Sequence, residues 1–228
     1  MTRETRGRET SAETVNVYPH VHHDHLHPHP QQPDLEDQPV KYHQLMVEAV
    51  GELLIEKGII TADELRRTIE DMDSRSPAMG ARLVARAWVD PAFKARMLED
   101  VNAAAGELGI EAGAIAIRAL ESTHELHHVV CCTLCSCYPR MVLGLPPDWY
   151  KARAWRSRVI REPRAVLREF GTIIPDGVEV RVHDSTADLR YMVLPMRPAR
   201  TEGLSEDELA ALVTRDCMIG TAVPAAPS

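Results

Sequence analysis

Cys132-Thr133-Leu134-Cys135-Ser136-Cys137 puts three thiols inside six residues. Zinc sites built from cysteine usually draw on two separated pairs, so this clustering asks for a different geometry. The backbone can complete it. If a metal sits between the sulfurs of Cys135 and Cys137, the amide nitrogens of Ser136 and Cys137 can lose their protons and bind it. Backbone connectivity then closes one ring of about six atoms and two of about five, a planar claw of two sulfurs and two nitrogens. Cys132 can cap the claw axially and leave the opposite position open to water or substrate. Amide and thiolate donors in a tetragonal frame suit a low-spin trivalent ion, cobalt or iron. They exclude magnesium, calcium and manganese by softness, and zinc fits poorly.

Two plainer readings compete with the claw. Cys132 to Cys135 is also a C-x-x-C, the spacing of a thioredoxin-like redox pair. Closely spaced buried cysteines also serve as small hydrophobes.

Working outward, the 228-residue chain is long enough to bury a core, and its hydrophobic content of 44% is that of a folded domain. Aromatics are only 4%, so an aliphatic core is expected. A net charge of −8 argues against nucleic acid or an anionic membrane as a partner held by charge. No run of 18 apolar residues occurs and Met1 to Thr10 is charged, unlike a signal peptide, so a cytoplasmic protein is expected. Four of the five cysteines fall in residues 131–137, which is no disulfide framework.

Residues 1–40 are polar, rich in Pro and His and without hydrophobic periodicity, so a disordered head is expected. The segment Pro19 to Pro30 holds six of the eleven His. Such a tract binds divalent metal weakly, which suits holding cobalt during maturation; a solvated tail is the plainer reading.

Residues 41–108 read as a helical arm. Leu45, Met46, Ala49, Val50, Leu53 and Leu54 recur at helical spacing, and Gly58 suits a left-handed stop. Thr61 to Glu64 is a capping box opening a helix to about Met72. Asp90-Pro91 starts another helix, running through Phe93, Met97 and Val101 toward Gly106. With little core of its own, the arm is expected to wrap another subunit.

Residues 109–228 mix strands and helices. Ala114 to Leu120, His128 to Thr133, Val178 to Val182 and Tyr191 to Leu194 read as strands. Pro163 to Phe170 reads as a helix, and Ser205 to Glu208 is a second capping box before Leu209 to Val213. The fold class is α+β, with the claw at a strand end. His124, His127 and His128 lie just upstream as possible ligands or proton carriers. Strand alternation turns His127 and His128 to opposite faces, so at least one is structural. Cys217 reads as a buried spectator, and the arginines from Arg153 to Arg168 as a solvated or subunit-facing surface.

The thiol motif followed by Tyr138-Pro139, with Leu143-Gly144-Leu145-Pro146-Pro147-Asp148-Trp149-Tyr150-Lys151 and Arg161-Glu162-Pro163-Arg164, resembles the α subunit of nitrile hydratase and the related γ subunit of thiocyanate hydrolase. The likeness runs from about Leu45 to Val223. It implies a layered α-β-β-α core and a non-corrin metal held by Cys132, Cys135, Ser136 and Cys137. It also implies oxidation of Cys135 to sulfinic and Cys137 to sulfenic acid, with Cys132 left as thiolate. Thr133 resembles the cobalt type, where iron members tend to carry Ser. Asp184-Ser185 and Asp188-Leu189-Arg190-Tyr191 resemble a segment that orients the metal loop by hydrogen bonds, and Arg190 joins Cys135 and Cys137 as a catalytic candidate. The implied partners are a β-type subunit, which supplies arginines to the oxidised sulfurs, and an activator protein for cobalt loading.

Three positions depart from the family pattern. Cys131 stands where Val is usual, Arg140-Met141 replaces the Trp-Pro of simple nitrile hydratases, and Glu111 to Ala114 lies where many members carry Gln. Arg after Tyr-Pro is more like thiocyanate hydrolase. The chemistry expected is Lewis-acid hydration of a nitrile, with either the Cys137 sulfenate or metal-bound hydroxide attacking the nitrile carbon. The alternative keeps the centre and changes the substrate to thiocyanate, hydrolysed through the same attack on a C≡N carbon. A metal carrier or redox module is the reading of another class.

Overall fold

The computed structural model describes residues 41–227. The His-rich head expected over residues 1–40 lies outside the described residues. The chain divides into two units between Glu56 and Lys57. In the first, helix α1 (Tyr42–Glu56) carries the apolar spacing read from the sequence, and Leu45, Met46, Val50 and Leu53 are exposed.

The second unit opens with Gly58 at φ 66°, the left-handed conformation expected of it. Helix α2 (Ala62–Ser74) begins at the expected capping box: the Glu64 amide donates to the Thr61 hydroxyl while Glu64 accepts from the Thr61 amide. It has no buried residue. Helix α3 (Pro77–Val89), which the sequence reading passed over, buries Leu83, Val84 and Ala85 completely. The helix expected to run from Asp90 toward Gly106 is two, α4 (Pro91–Glu99) and α5 (Val101–Glu107). Asp100 leaves helical geometry between them, and its carboxylate caps α5 by accepting from the Ala103 amide. Residues 41–108 are thus uneven: α1 and α2 bury nothing, while α3 to α5 belong to the main core.

Strands β1 (Ala116–Glu121) and β2 (Leu126–Cys131) follow, then helices α6 (Arg140–Leu143), α7 (Asp148–Lys151), α8 (Arg153–Arg161) and α9 (Pro163–Glu169). Strands β3 (Glu179–Asp184) and β4 (Leu189–Leu194) and helices α10 (Glu206–Ala211) and α11 (Arg215–Ile219) complete the chain. The second capping box is formed at Ser205 and Glu208. All four expected strands are present, with β2 beginning and ending two residues earlier than expected.

Consecutive strands belong to different sheets. β1 pairs with β4 and β2 with β3, both in parallel, as two sheets of two strands. Helices α3, α4, α5 and α11 pack on the first through Leu83, Phe93, Met97, Met218, Ile117 and Met192. Helices α8 and α9 pack on the second through Trp155, Val159, Val166 and Leu167 against Val129 and Cys131. The result is the layered α-β-β-α order. Parallel pairing also sets the ends of β2 and β3 side by side, with Cys131 opposite Asp184. The thiol loop therefore leaves β2 beside the corner that joins β3 to β4.

Candidate metal centre

The sulfurs of Cys132, Cys135 and Cys137 lie within 4.8 Å of one another. Cys132 and Cys135 are 3.5 Å apart and Cys135 and Cys137 3.2 Å apart, Sγ to Sγ. The Cys135 amide donates to the Cys132 sulfur at 3.3 Å, which folds the loop back on its own start. Cys132 is buried at the strand end, Cys137 is half-buried and Cys135 is exposed. The loop is anchored on the inside and open on the outside.

Three contacts hold the loop in this shape. Asp184 accepts from the Thr133 amide at 2.8 Å and from the Thr133 hydroxyl. The Tyr150 hydroxyl donates to the Cys137 carbonyl at 2.9 Å, and Arg156 donates to the Thr133 carbonyl at 3.3 Å. Asp184 belongs to the segment the sequence reading assigned to orienting the loop. Tyr150 and Arg156 were missed: Tyr150 was visible only as part of a quoted motif, and Arg156 was grouped with a solvated surface. Behind the loop the few aromatics gather. Tyr138 meets Tyr150 edge-on at 5.1 Å, and Trp149 meets both Trp155 and Phe170 at 4.7 Å.

The electrostatics divide the thiols. Hydrogen bonds from Cys137 and Cys132, followed by the Ser136 and Cys137 amides, bring the Cys135 thiol down to about 7. The two amides named as donors to a metal thus help to stabilise the Cys135 thiolate. Burial, and then the sharing of hydrogen bonds with Cys135 and Cys132, pushes Cys137 up to about 11, while Arg190 acts in the opposite direction. Burial pushes Cys131 up to about 12. Its side chain packs with Val129 on the α8–α9 face and is not one of the three clustered sulfurs. The donor set, three clustered thiols with the Ser136 and Cys137 amides between two of them in the chain, fits a soft, tetragonal trivalent ion.

Arg190, on β4, has Nη1 buried with no hydrogen-bond partner among the described residues. It lines a cavity of about 250 Å³ with Tyr138, Arg140, Met141, Ala112 and Gly113. Two of the three departures from the family pattern thus meet in one cavity, and its wall continues directly from Cys137. Asn102 fixes the far wall by donating to the carbonyls of Gly113 and Ile115 and accepting from the Ile117 amide. A larger cavity of about 470 Å³ lies by the start of β2, lined by His127, Ile174, Pro195 and Cys217. Neither cavity is lined by a clustered thiol, but only the smaller one has Arg190 and the residues that follow Cys137 in its wall, so the larger is set aside as the reaction site.

The three histidines separate. His124 is exposed. His127 is buried with Nε2 2.8 Å from the Gly220 carbonyl, a structural contact, and burial lowers its pKa against the pull of that carbonyl. His128 meets His183. The arginine run is also less uniform than expected. Arg164 donates to the carbonyls of Ile174, Pro175 and Val178, and Arg158 pairs with Glu162 and Glu169, whereas Arg153, Arg156 and Arg161 line an open basin beside Thr133 and Leu134. Cys217 is buried in α11, as expected.

The profile of the family described as "Nitrile hydratase, alpha chain" matches residues 41–222. The chain belongs to the nitrile hydratase alpha family. It is 49% identical over 186 residues to the low-molecular weight cobalt-containing nitrile hydratase subunit alpha of Rhodococcus rhodochrous, covering 80% of this chain and 89% of that one. It superposes on a recombinant thiocyanate hydrolase with partially modified cobalt centres at a TM-score of 0.77 and 43% identity, covering 82% of this chain and 92% of that one. A double mutant of the Fe-type nitrile hydratase from Comamonas testosteroni Ni1 gives 0.74 and 42%, covering 82% and 94%. The family's fold thus occurs in relatives named for either metal.

Proposed function

We propose that this chain is the metal-bearing, catalytic subunit of a nitrile hydratase, adding water to a nitrile to give the amide at a low-spin cobalt(III) centre with oxidised cysteines. The observation that carries the reading is the convergence of three thiols within 4.8 Å of one another on a six-residue loop, with the Ser136 and Cys137 amides lying between Cys135 and Cys137 in the chain. Cys132, Cys135 and Cys137 would hold the ion through sulfur, and Ser136 and Cys137 through their amide nitrogens. The chemistry a bound trivalent ion supplies is Lewis acidity toward the nitrile or water.

The chain's own residues do the rest. Asp184 and Tyr150 fix the two ends of the loop, so the sulfurs keep their spacing. Oxidation to sulfinic acid at Cys135 and sulfenic acid at Cys137 weakens sulfur donation. Arg190, with an unpartnered buried Nη1 near Cys137, would donate to an oxygen carried there. That oxygen is the nucleophile this chain can itself present to the nitrile carbon. The 250 Å³ cavity beside Tyr138 and Arg190 would receive a small substrate.

Cobalt is supported by Thr133 and by 49% identity to a cobalt-containing relative. A β-type partner is supported by the apolar residues left exposed on α1, on α2 (Leu65 and Ile69) and at Leu134. An activator protein would load the cobalt. Among the described residues no helix is long and apolar enough to cross a membrane, which is compatible with a cytoplasmic enzyme.

Thiocyanate is the second substrate reading, favoured by Arg140 in the cavity wall and by the likeness to thiocyanate hydrolase. The purified assembly is to be incubated with an organic nitrile and with thiocyanate, following amide and carbonyl sulfide. Amide alone supports the proposal, and carbonyl sulfide alone transfers it to the second substrate. Intact-protein mass spectrometry decides the centre. Tightly held cobalt with added oxygens on the 131–137 peptide is expected, whereas labile zinc or a reversible disulfide would make the chain a carrier or redox module.

A further inference from the structure

His128 Nδ1 lies 2.8 Å from His183 Nε2, a ring-to-ring hydrogen bond between β2 and β3 with the ring centroids 4.8 Å apart. His128 is buried, and Ser122 at the β1–β2 corner accepts from its amide. His183 is half-buried and packs against Tyr191 of β4 at 5.4 Å. The residues that follow His183 are the ones that hold the thiol loop. Asp184 binds Thr133 twice, and Ser185 donates its amide to the Cys131 carbonyl while its hydroxyl accepts from the Tyr191 amide.

We propose that the His128–His183 pair is a positioning element for the thiol loop, holding the end of β3 in register so that Asp184 and Ser185 meet Cys131 and Thr133. Neither ring touches the sulfurs, and the pair acts only through Asp184 and Ser185. The placement of the pair stands without the metal reading; only its consequence for turnover rests on it.

The hydrogen bond needs one ring nitrogen as donor and the other as acceptor, so two protonated rings cannot make it. The charged groups acting on the pair are cations. Arg181 of β3 acts on both rings, and His183 and, less, His127 act on His128 once they are protonated; Glu121 of β1 contributes its backbone and Tyr191 of β4 its ring. Burial, reinforced by these cations, lowers His183 and brings His128 down to about 4. A folded-state pKa below the ordinary 6.5 means the pair is neutral and intact above that value. Its contribution is lost as pH falls from 6.5 toward 4.

The test follows the Thr133 amide and the histidine rings by NMR in the full, reduced, metal-free chain from pH 8 to 4. The expected result is that the rings and the Thr133 amide change together, with His128 neutral until near pH 4. At neutral pH His183→Leu should speed Thr133 amide exchange roughly tenfold, about the net worth of one hydrogen bond. His183→Gln, which keeps a polar nitrogen near the Nε2 position, should restore it. An unchanged Thr133 signal through the ring titration, or equal exchange in His183→Leu and wild type, overturns the proposal. If His183→Leu fails to fold, the wild-type titration decides alone. Cobalt retention is measured separately: a chain that couples Thr133 to the rings yet holds no cobalt keeps this inference and loses the metal reading.

Discussion

The two ends of β2 are built on opposite terms. At its start the backbone is closed in: His127 binds the Gly220 carbonyl, and Gly220 presses against the next peptide so tightly that a Cβ there would lie 2.0 Å from the His128 carbonyl oxygen. At its finish the chain rises out of the core, from Cys132 at 1% exposure to Leu134 at 91%, held by a few hydrogen bonds. One end carries the packing and the other the thiol cluster. A loop with so little apolar burial depends on its hydrogen bonds and on a strand that cannot shift, so stability and the proposed function are expected to separate between the two ends.

The widest break in that comparison comes from Gly220→Ala. The residue sits at φ 89°, and the clash is with backbone that has no flexible end to give way. A loss of more than about 3 kcal/mol is expected, read as a fall in thermal or urea midpoint, with the thiol loop lost along with the fold. An intact midpoint would mean that α11 does not brace β2.

At the loop end the costs are smaller. Asp184→Asn weakens a charge-assisted pair of hydrogen bonds to Thr133, exposed to water on one side, and should cost about 1 kcal/mol in a urea melt. Tyr150→Phe removes one hydrogen bond to the Cys137 carbonyl while keeping the ring against Tyr138, and should cost roughly 0.5–1.5 kcal/mol by the same measurement. Both should weaken cobalt retention on dialysis against chelator more than they lower the melt. Equal effects on the two would erase the distinction between the ends.

The same contrast explains what could be read in the sequence. The thiol cluster was legible because six consecutive residues contain every donor of the proposed centre. The caps at Thr61, Asp90 and Ser205 are equally local and all three formed. Helix α3 escaped because Pro-Ala-Met-Gly-Ala-Arg-Leu-Val-Ala-Arg-Ala-Trp-Val is nearly all small or apolar, and its polar stripe is only Arg82 and Arg86. The break at Asp100 was hidden because the apolar spacing continues across it. The strand pairing was out of reach for another reason: Cys131 and Asp184 are brought together by a parallel crossover, and nothing near either residue announces the other. His183 is set beside His128 by that same pairing, whereas Tyr150 reaches the Cys137 carbonyl from a short helix that follows the loop.

The smallest effect on the fold should accompany the largest on function. Cys135 is exposed, and exchanging its sulfur for oxygen in Cys135→Ser removes almost no packing, so the melting midpoint should stay within about 0.5 kcal/mol of wild type. Its thiol nevertheless lies at the centre of the cluster, in contact with both other sulfurs. In the metal-free chain its pKa, lowered to about 7, leaves it increasingly anionic as pH rises through that value, while Cys137 near 11 and Cys131 near 12 remain protonated. Iodoacetamide should therefore label Cys135 before Cys137 and Cys131, with a rate rising from pH 6 to 8, read by peptide mass spectrometry. Cys135→Ser should abolish that labelling, cobalt retention and turnover together while the melt holds. A variant that keeps full activity would remove the sulfur from the centre and leave the loop a surface feature of a well-packed strand.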